Sequence, residues 1–140
     1  MSADALATLL RIRRNSLDDA QRAVADAMRR RQDMQERSEA EEARFAGEAA
    51  AALDLASGDE AVDAFARWLP VGRKAVEKAR ADEHEAAGEL DRARVVLGLA
   101  RAAYRSVELL IEERAREARL LQDRKAQQEM DEIGRRRDAC

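Results

Sequence analysis

The chain has 140 residues, of which 39% are charged and only 3% aromatic, with one Pro and a formal net charge of −3. This composition is typical of long helices and coiled coils, and it excludes a thick globular core. Charges of both signs are interspersed, which argues against a nucleic-acid partner, because nucleic-acid modules concentrate positive charge on one face.

The first predicted helix covers about residues 4–56 and starts near Ala3 or Asp4. Apolar residues recur along it every 3.5 residues on average, as in a coiled-coil seam. The seam comprises Leu6, Leu10, Leu17, Ala20, Val24, Ala27, Met34, Phe45, Ala52 and Leu55. It thins where Arg31, Ser38 and Glu41 take seam positions. This weaker middle predicts either a flexible stretch or a place for a partner.

A connection over about residues 57–69 follows the first helix. Gly58 can supply the positive φ of a helix end. Ser57 followed three residues later by Glu60 fits a capping box. The apolar residues of the connection then indicate a short amphipathic helix over residues 59–68, with a pattern carried by Val62, Phe65 and Leu69.

The second long helix is predicted over about residues 70–136, because Pro70 fits the first turn of a helix. From Val76 to Leu121 it carries the stronger seam, in which only Glu83 and Arg114 are not apolar. Small residues along this seam would let a partner helix approach closely: Ala79, Ala86, Ala93 and Ala100.

Two long helices joined by a short connection favour folding back on each other. The predicted fold is therefore all-α: one domain, residues 1–140, forming a long antiparallel two-helix coiled coil with a short connecting helix. Side-chain size suggests a register in which Leu10 faces Leu121, Val24 faces Val107 and Met34 faces Leu97, and in which the large Phe45 meets the small Ala86, although it also sets Glu48 against Glu83. This register leaves the end of the second helix, with Met130 and Ile133, unpaired.

No residue pattern indicates catalysis. Phosphate-binding glycine motifs are absent from the sequence, and a single His, His84, cannot build a metal site or a catalytic triad. Carboxylates on a thin coiled coil face water, without the cleft that acid–base catalysis requires. The sequence therefore predicts no enzyme, no catalytic residue, no metal and no cofactor. The single cysteine, Cys140, excludes an internal disulfide framework and is expected to be an exposed thiol.

The location is predicted from what the sequence lacks. It contains no apolar run of membrane-spanning length and no N-terminal signal peptide, so we expect a cytoplasmic protein without direct membrane insertion. Trp68 and Phe65 are the conspicuous aromatic residues. They either close the end of the hairpin or expose an apolar anchor for a partner, since Trp is enriched at interaction hot spots.

The chain resembles the FliJ family of flagellar type III export stalk proteins and the related YscO-type proteins of injectisomes. The resemblance rests on the segment from Gln127 to Ile133, which is similar to a C-terminal Q-x-x-[LM]-D-E-[apolar] motif, and on the charged run over residues 112–125. The N-terminal pattern of Leu6, Leu10 and residues 18–20, and the segment 28–30, are similar too. The resemblance covers essentially the whole chain.

This resemblance implies a stalk whose terminal end enters the pore of a hexameric export ATPase and promotes its assembly and activity. The matching positions in this chain are Leu6, Leu10, Arg13, Met130, Asp131 and Ile133. It also implies contact with the membrane export gate, FlhA in flagella, which would place the protein peripherally at the inner-membrane export apparatus. The matching patch comprises Phe45, Trp68, Gly72, Ala75 and Ala79.

Within this patch, the family prefers a larger aliphatic residue at position 72 and a His at position 79, where this chain has Gly72 and Ala79. Some members also bind export chaperones, for which no residue is assigned here. Other interpretations stay open. The chain could serve an injectisome rather than a flagellum, form a self-associating structural spacer, or act as a helical holdase for unfolded clients.

Overall fold

A computed structural model describes residues 1–54, 56 and 58–139, and every regular element within them is helical. Helix α1 spans Ala3–Ala52 and helix α2 spans Gly58–Asp138. The predicted all-α class with two long antiparallel helices is confirmed. The chain divides into two compact units. Unit 1 contains residues 1–18 and 99–140, and unit 2 contains residues 19–98.

Local sequence signals fix the start of α1. The Ser2 hydroxyl accepts a hydrogen bond from the backbone N–H of Ala5 at 3.1 Å, as an N-cap side chain does. Asp4 adds a carboxylate to the first turn, where the helix dipole favours negative charge. The predicted start near Ala3 or Asp4 is confirmed.

The connection is a tight turn. Asp54 Oδ1 accepts a hydrogen bond from the Ala56 N–H at 3.1 Å, which closes an Asx turn. Gly58 has a φ of 73°, the left-handed conformation that only glycine adopts without strain, as the sequence predicts. Two predicted features, Leu55 in the seam and Ser57 in a capping box, lie outside the described residues, as does Cys140.

The short connecting helix is not a separate element, and this prediction is wrong. Helix α2 begins at Gly58 and continues through Pro70 without interruption. Proline inside a helix removes one backbone hydrogen bond and costs about 3 kcal/mol. Phe65 and Trp68 before the proline, and Ala79 after it, all bury surface in unit 2, so packing on both sides of Pro70 favours one continuous helix.

In unit 2, residues 19–52 of α1 pack against residues 58–98 of α2. The α1 seam positions here are buried or half-buried, and Leu90 of α2 is 2% exposed. Two ion pairs join the helices and show that they run antiparallel: Arg30 Nε lies 3.4 Å from a Glu89 carboxylate oxygen, and Arg80 Nε lies 2.7 Å from Glu42. Ser38 is buried in the seam, whereas Arg31 is exposed.

The same ion pairs correct the predicted register. Continued along the helices, that register would set Glu42 opposite Glu89, whereas each of these carboxylates pairs with an arginine elsewhere on the facing helix. Phe45, predicted opposite Ala86, packs on Phe65 and Trp68 instead. Size matching of seam residues selected the wrong register because alanine seam positions repeat every heptad and accept several large partners.

In unit 1, residues 1–18 of α1 pack against the adjoining part of α2. Leu6 and Val107 are buried between them, and Leu10 is half-buried. The Arg114 guanidinium donates a hydrogen bond to the Met1 carbonyl. Beyond this contact, α2 continues as a segment that we call the extension, residues 115–138. Residues 115–133 of the extension are all exposed.

Candidate partner-binding surfaces

The structure divides the predicted ATPase-binding residues into two groups within unit 1. Leu6 is only 3% exposed and therefore belongs to the packing between α1 and α2. Leu10 is half-buried beside it, whereas Arg13 is exposed. Of this first group, Arg13 is the residue whose side chain is free to meet a partner, and Leu6 fixes the position of the α1 start.

The second group lies on the extension. Met130 is 69% exposed and Ile133 is 58% exposed, and Asp131 between them accepts a hydrogen bond from the Gln127 amide at 3.2 Å. At 1.5 Å per residue, Met130 lies about 24 Å along the helix from Arg114, where α1 begins. The structure therefore does not bring Met130, Asp131 and Ile133 together with Leu6, Leu10 and Arg13.

Two seam residues of the extension are exposed against expectation. Ala118 and Leu121 were predicted to lie against α1, yet Leu121 is 57% exposed and Ala118 is also exposed. The cause is the true register, in which Arg114 already bonds the carbonyl of Met1, just before the start of α1. Opposite charges at Arg30–Glu89 and Arg80–Glu42 were the signal that could have revealed this register from the sequence.

The predicted export-gate patch lies in unit 2 and is centred on three aromatic rings. The ring centroids of Phe45 and Trp68 are 5.7 Å apart, and Phe65 completes the cluster at 6.3 Å from Phe45 and 5.9 Å from Trp68. These separations fall within the range at which aromatic rings attract one another. Phe65 was predicted to close the hairpin or anchor a partner, and it was not included in the patch. We name Phe45, Phe65 and Trp68 the aromatic cluster.

Gly72 is part of the same surface because it lies beneath the Trp68 indole. A Cβ added at Gly72 would come closer than 3.0 Å to three ring carbons of Trp68, so glycine is what lets the indole lie against this turn of α2. All three rings are half-buried. The Arg44 guanidinium carbon lies 6.0 Å from the centroid of the Trp68 ring, within cation–π range.

The two alanines of the patch differ in accessibility. Ala79 is buried in the seam and Ala75 is half-buried. A surface groove of about 390 Å³ is lined by Glu42, Phe45, Arg73, Val76, Glu77 and Arg80, whereas the two alanines line a separate groove of about 290 Å³. The accessible part of the predicted patch therefore consists of the aromatic cluster and the surface at Ala75, while Ala79 serves mainly as packing in the seam.

A polar network lies next to the α1 contact in unit 1. Arg105 donates hydrogen bonds to Glu108 at 2.9 Å and to Glu112 at 3.3 Å. The bond from Arg105 lowers the pKa of Glu108, while the Tyr104 hydroxyl bonded to Glu108 has its pKa raised. The network is exposed and structural in character, and its donors and acceptors satisfy one another.

Neither a metal site nor a membrane span is found among the described residues. Their His, Cys, Asp and Glu side chains form no group of three or more that could hold a metal ion. None of the helices in this part of the chain is long and apolar enough to cross a membrane. The surfaces with distinctive character are thus the exposed extension of unit 1 and the aromatic cluster of unit 2.

Comparison with protein families gives a match over residues 1–138 to the family described as Flagellar FliJ protein. The chain belongs to the FliJ family. No curated protein and no solved structure matches it. Membership makes this FliJ-family chain a cytoplasmic component of flagellar type III protein export, associated with the export apparatus. The family is one of structural export proteins rather than enzymes, and its description favours the flagellar over the injectisome interpretation.

Proposed function

We propose that this FliJ-family chain is the stalk of a flagellar export ATPase. In this proposal the extension and the adjoining start of α1 enter the pore of the hexameric ATPase ring and promote its assembly and ATP turnover. The observation that carries the proposal is the extension itself, a continuous helix that exposes Met130 and Ile133 by more than half.

Physical reasons support a binding role for the extension. Most helical stability in proteins comes from packing an apolar face, and residues 115–133 of the extension are all exposed in the free chain. Fully burying a side chain such as Met or Ile is worth about 1.5–3 kcal/mol. A pore surrounds a helix on all sides and can bury Met130 and Ile133, with Asp131 and Arg13 available for polar contacts.

The second part of the proposal concerns the aromatic cluster. We infer that it contacts the membrane export-gate protein, an FlhA-like partner, and so links the ATPase to the inner membrane. Trp68 is half-buried, which leaves part of a large apolar ring for a partner, and Trp is the residue most enriched at interaction hot spots. Binding of export chaperones stays a prediction without assigned residues.

The test of the ATPase part is ATP turnover by the cognate flagellar export ATPase with added wild-type chain and with Met130→Ala/Ile133→Ala. The proposal predicts stimulation by the wild type and its loss in the double variant. The matched control is Val95→Ala/Val96→Ala, which removes two similarly exposed apolar side chains from another part of α2. The control should stimulate like the wild type.

A different pattern would contradict the proposal. Equal stimulation by the Met130/Ile133 variant and the wild type would show that the tip of the extension does not contact the ATPase. A second contradicting result would be that the chain does not stimulate an ATPase that hydrolyses ATP and forms hexamers. That result would favour a self-associating spacer over a stalk. Stimulation of an injectisome ATPase, but not of the flagellar one, would favour the YscO-type interpretation.

A further inference from the structure

Helix α2 carries a second stripe of apolar and small residues on a side that α1 does not cover. We call it the outer stripe, and it consists of Leu99, Ala102, Ser106 and Leu109. Leu99 is 67% exposed and Leu109 is 45% exposed, and the two small residues between them are exposed as well. Spacings of three and four residues place all four on one face of a continuous helix. This spacing is that of a coiled-coil seam, so the outer stripe is suited to packing against another helix.

The one polar residue of the outer stripe is compatible with such packing. The Ser106 hydroxyl donates a hydrogen bond to the Ala102 carbonyl at 2.9 Å, one turn earlier in the same helix. Its polar group is therefore satisfied within α2, and burying it would leave no unpaired donor. The outer stripe thus has a leucine at each end and two small residues in the middle, where a facing helix could approach closely.

The charged residues beyond the two ends of the outer stripe have opposite order. Asp91 and Arg92 come two turns before the stripe, and Arg116 and Glu117 come two turns after it. All four are exposed. Within the described part of the chain, Asp91 lies 4.0 Å from Arg94, and the other three take part in no ion pair. A helix face with this order of charges is complementary to a copy of itself that runs in the opposite direction.

We propose that a second copy of this chain packs on the outer stripe in an antiparallel dimer whose two-fold axis passes near position 104. Leu99 then faces Leu109 of the second copy, and Ala102 faces Ser106 of the second copy. In a two-fold contact both copies use the same surface, so each of these pairs occurs twice. The inference goes beyond the proposed function and does not rest on it, because the outer stripe lies outside the extension.

The charges favour a second copy as the occupant and fix its direction. In this register, Asp91 of one copy comes level with Arg116 of the other, and Arg92 comes level with Glu117 of the other. A parallel second copy would instead set each of these charges beside the same charge, which is unfavourable. Exposed ion pairs contribute little stability one by one, and their role here is to select direction and register.

The experiment measures self-association of the full-length chain by analytical ultracentrifugation, in reducing buffer of low ionic strength, where exposed charge pairs are least screened. The outer stripe is short, so its dimer belongs with the weak interfaces, and we expect it at concentrations of about 100 µM and above. Leu99→Ala/Leu109→Ala should weaken the dimer about a hundredfold or more, because two leucines of each copy lose their contacts.

The matched control is Leu120→Ala/Leu121→Ala, which removes two exposed leucines of the same helix beyond the paired segment. This control should dimerise like the wild type. All four leucines are exposed, so circular dichroism should give both variants the wild-type helix content.

Charge reversal tests the direction of the second copy. Arg92→Glu alone sets negative charges against each other, and Glu117→Arg alone sets positive charges against each other, so each variant should dimerise about tenfold more weakly. An equimolar mixture of the two variants should associate like the wild type, because each changed residue then faces its opposite charge on the other chain. Positions 92 and 117 are about 38 Å apart along α2, so this rescue can arise only between two copies.

Four results would overturn the inference. A wild-type chain that stays monomeric up to about 500 µM would show that no second copy binds there. A dimer that survives Leu99→Ala/Leu109→Ala would use another surface. Failure of the mixed charge variants to restore association would exclude the antiparallel pairing. If the wild type stays monomeric and the Leu99/Leu109 variant loses stimulation of the export ATPase, the outer stripe contacts the ATPase instead. The proposed function is tested separately, by the stimulation that the wild type gives.

Discussion

The aromatic end of unit 2 and the extension of unit 1 use apolar residues of one helix in opposite ways. Around residues 65–79 of α2, rings and alanines pack against α1, and Phe45, Phe65 and Trp68 lie within 6.3 Å of one another. Beyond Arg114, the same helix exposes Leu121, Met130 and Ile133. An apolar residue in a coiled-coil pattern therefore predicts that another surface packs against it. The pattern does not identify the molecule that supplies this surface.

The most direct test of this difference makes the same substitution, leucine to alanine, at two places on α2. Leu90 is the largest fully buried side chain, so Leu90→Ala should lower the free energy of unfolding by about 3 kcal/mol. Leu121→Ala removes an exposed side chain and should change it by less than about 0.5 kcal/mol. Urea unfolding followed by circular dichroism at 222 nm measures both. Equal losses would mean that the extension is packed in the free chain.

The aromatic cluster provides the next largest effect. Phe45→Ala removes the ring through which α1 contacts Trp68 and should cost about 2 kcal/mol, less than a fully buried phenylalanine because the ring is half-buried. The chain has one Trp, so its fluorescence reports Trp68 alone, and we expect a red shift as water reaches the indole. Val62→Ala, which alters an exposed residue of α2, the helix that carries Trp68, serves as the control. Unchanged emission in Phe45→Ala would contradict the packing described.

Gly72 gives a smaller and more specific effect. Replacing a helical glycine by alanine normally stabilises a helix by about 1 kcal/mol. At Gly72 the new Cβ must displace the Trp68 ring, so we expect most of that gain to be lost and the Trp68 emission to shift. Gly98→Ala, with open space around its Cβ, is the control that should show the full gain. If Gly72→Ala gave the full gain in stability and left the Trp68 emission unchanged, the indole would not lie against Gly72.

The pH dependence of the polar network should be the smallest effect. Arg105 lowers the pKa of Glu108 in the folded chain, so this carboxylate stabilises the fold at pH values above its ordinary pKa. The stabilisation is lost as the pH falls through the lowered pKa. Glu108→Gln should therefore lower the melting temperature slightly at pH 7 and by less at pH 3. A difference of the same size at both pH values would assign it to packing instead of charge.

Much of the fold could be predicted because its signals are periodic. The apolar α1 seam residues from Leu6 to Ala52 and the α2 seam from Val76 to Ile111 are buried or half-buried as the 3.5-residue pattern predicts. Gly58 also adopts the predicted positive φ. These features depend on the spacing of residue types along a single helix, which the sequence contains directly.

The register and the connection could not be predicted in the same way. Alanine seam positions fit several large partners, so side-chain size did not distinguish one register from another. At Pro70 the local preference for a helix start gave way to packing on both sides of the proline. The register also decides which residues of the extension are left without a facing helix. The predicted register left Met130 and Ile133 unpaired but paired Ala118 and Leu121 with α1, so their exposure was not predicted.

Amide hydrogen exchange tests the central claim, that the extension is the surface the ATPase covers. We would measure exchange in the chain alone and in complex with its cognate export ATPase. We expect residues 115–138 to exchange rapidly in the free chain, because a helix without packing opens easily, and to become protected in the complex. Residues 45–79 should exchange alike in both. Protection confined to residues 45–79, with the extension still exchanging rapidly, would contradict an ATPase contact at the extension.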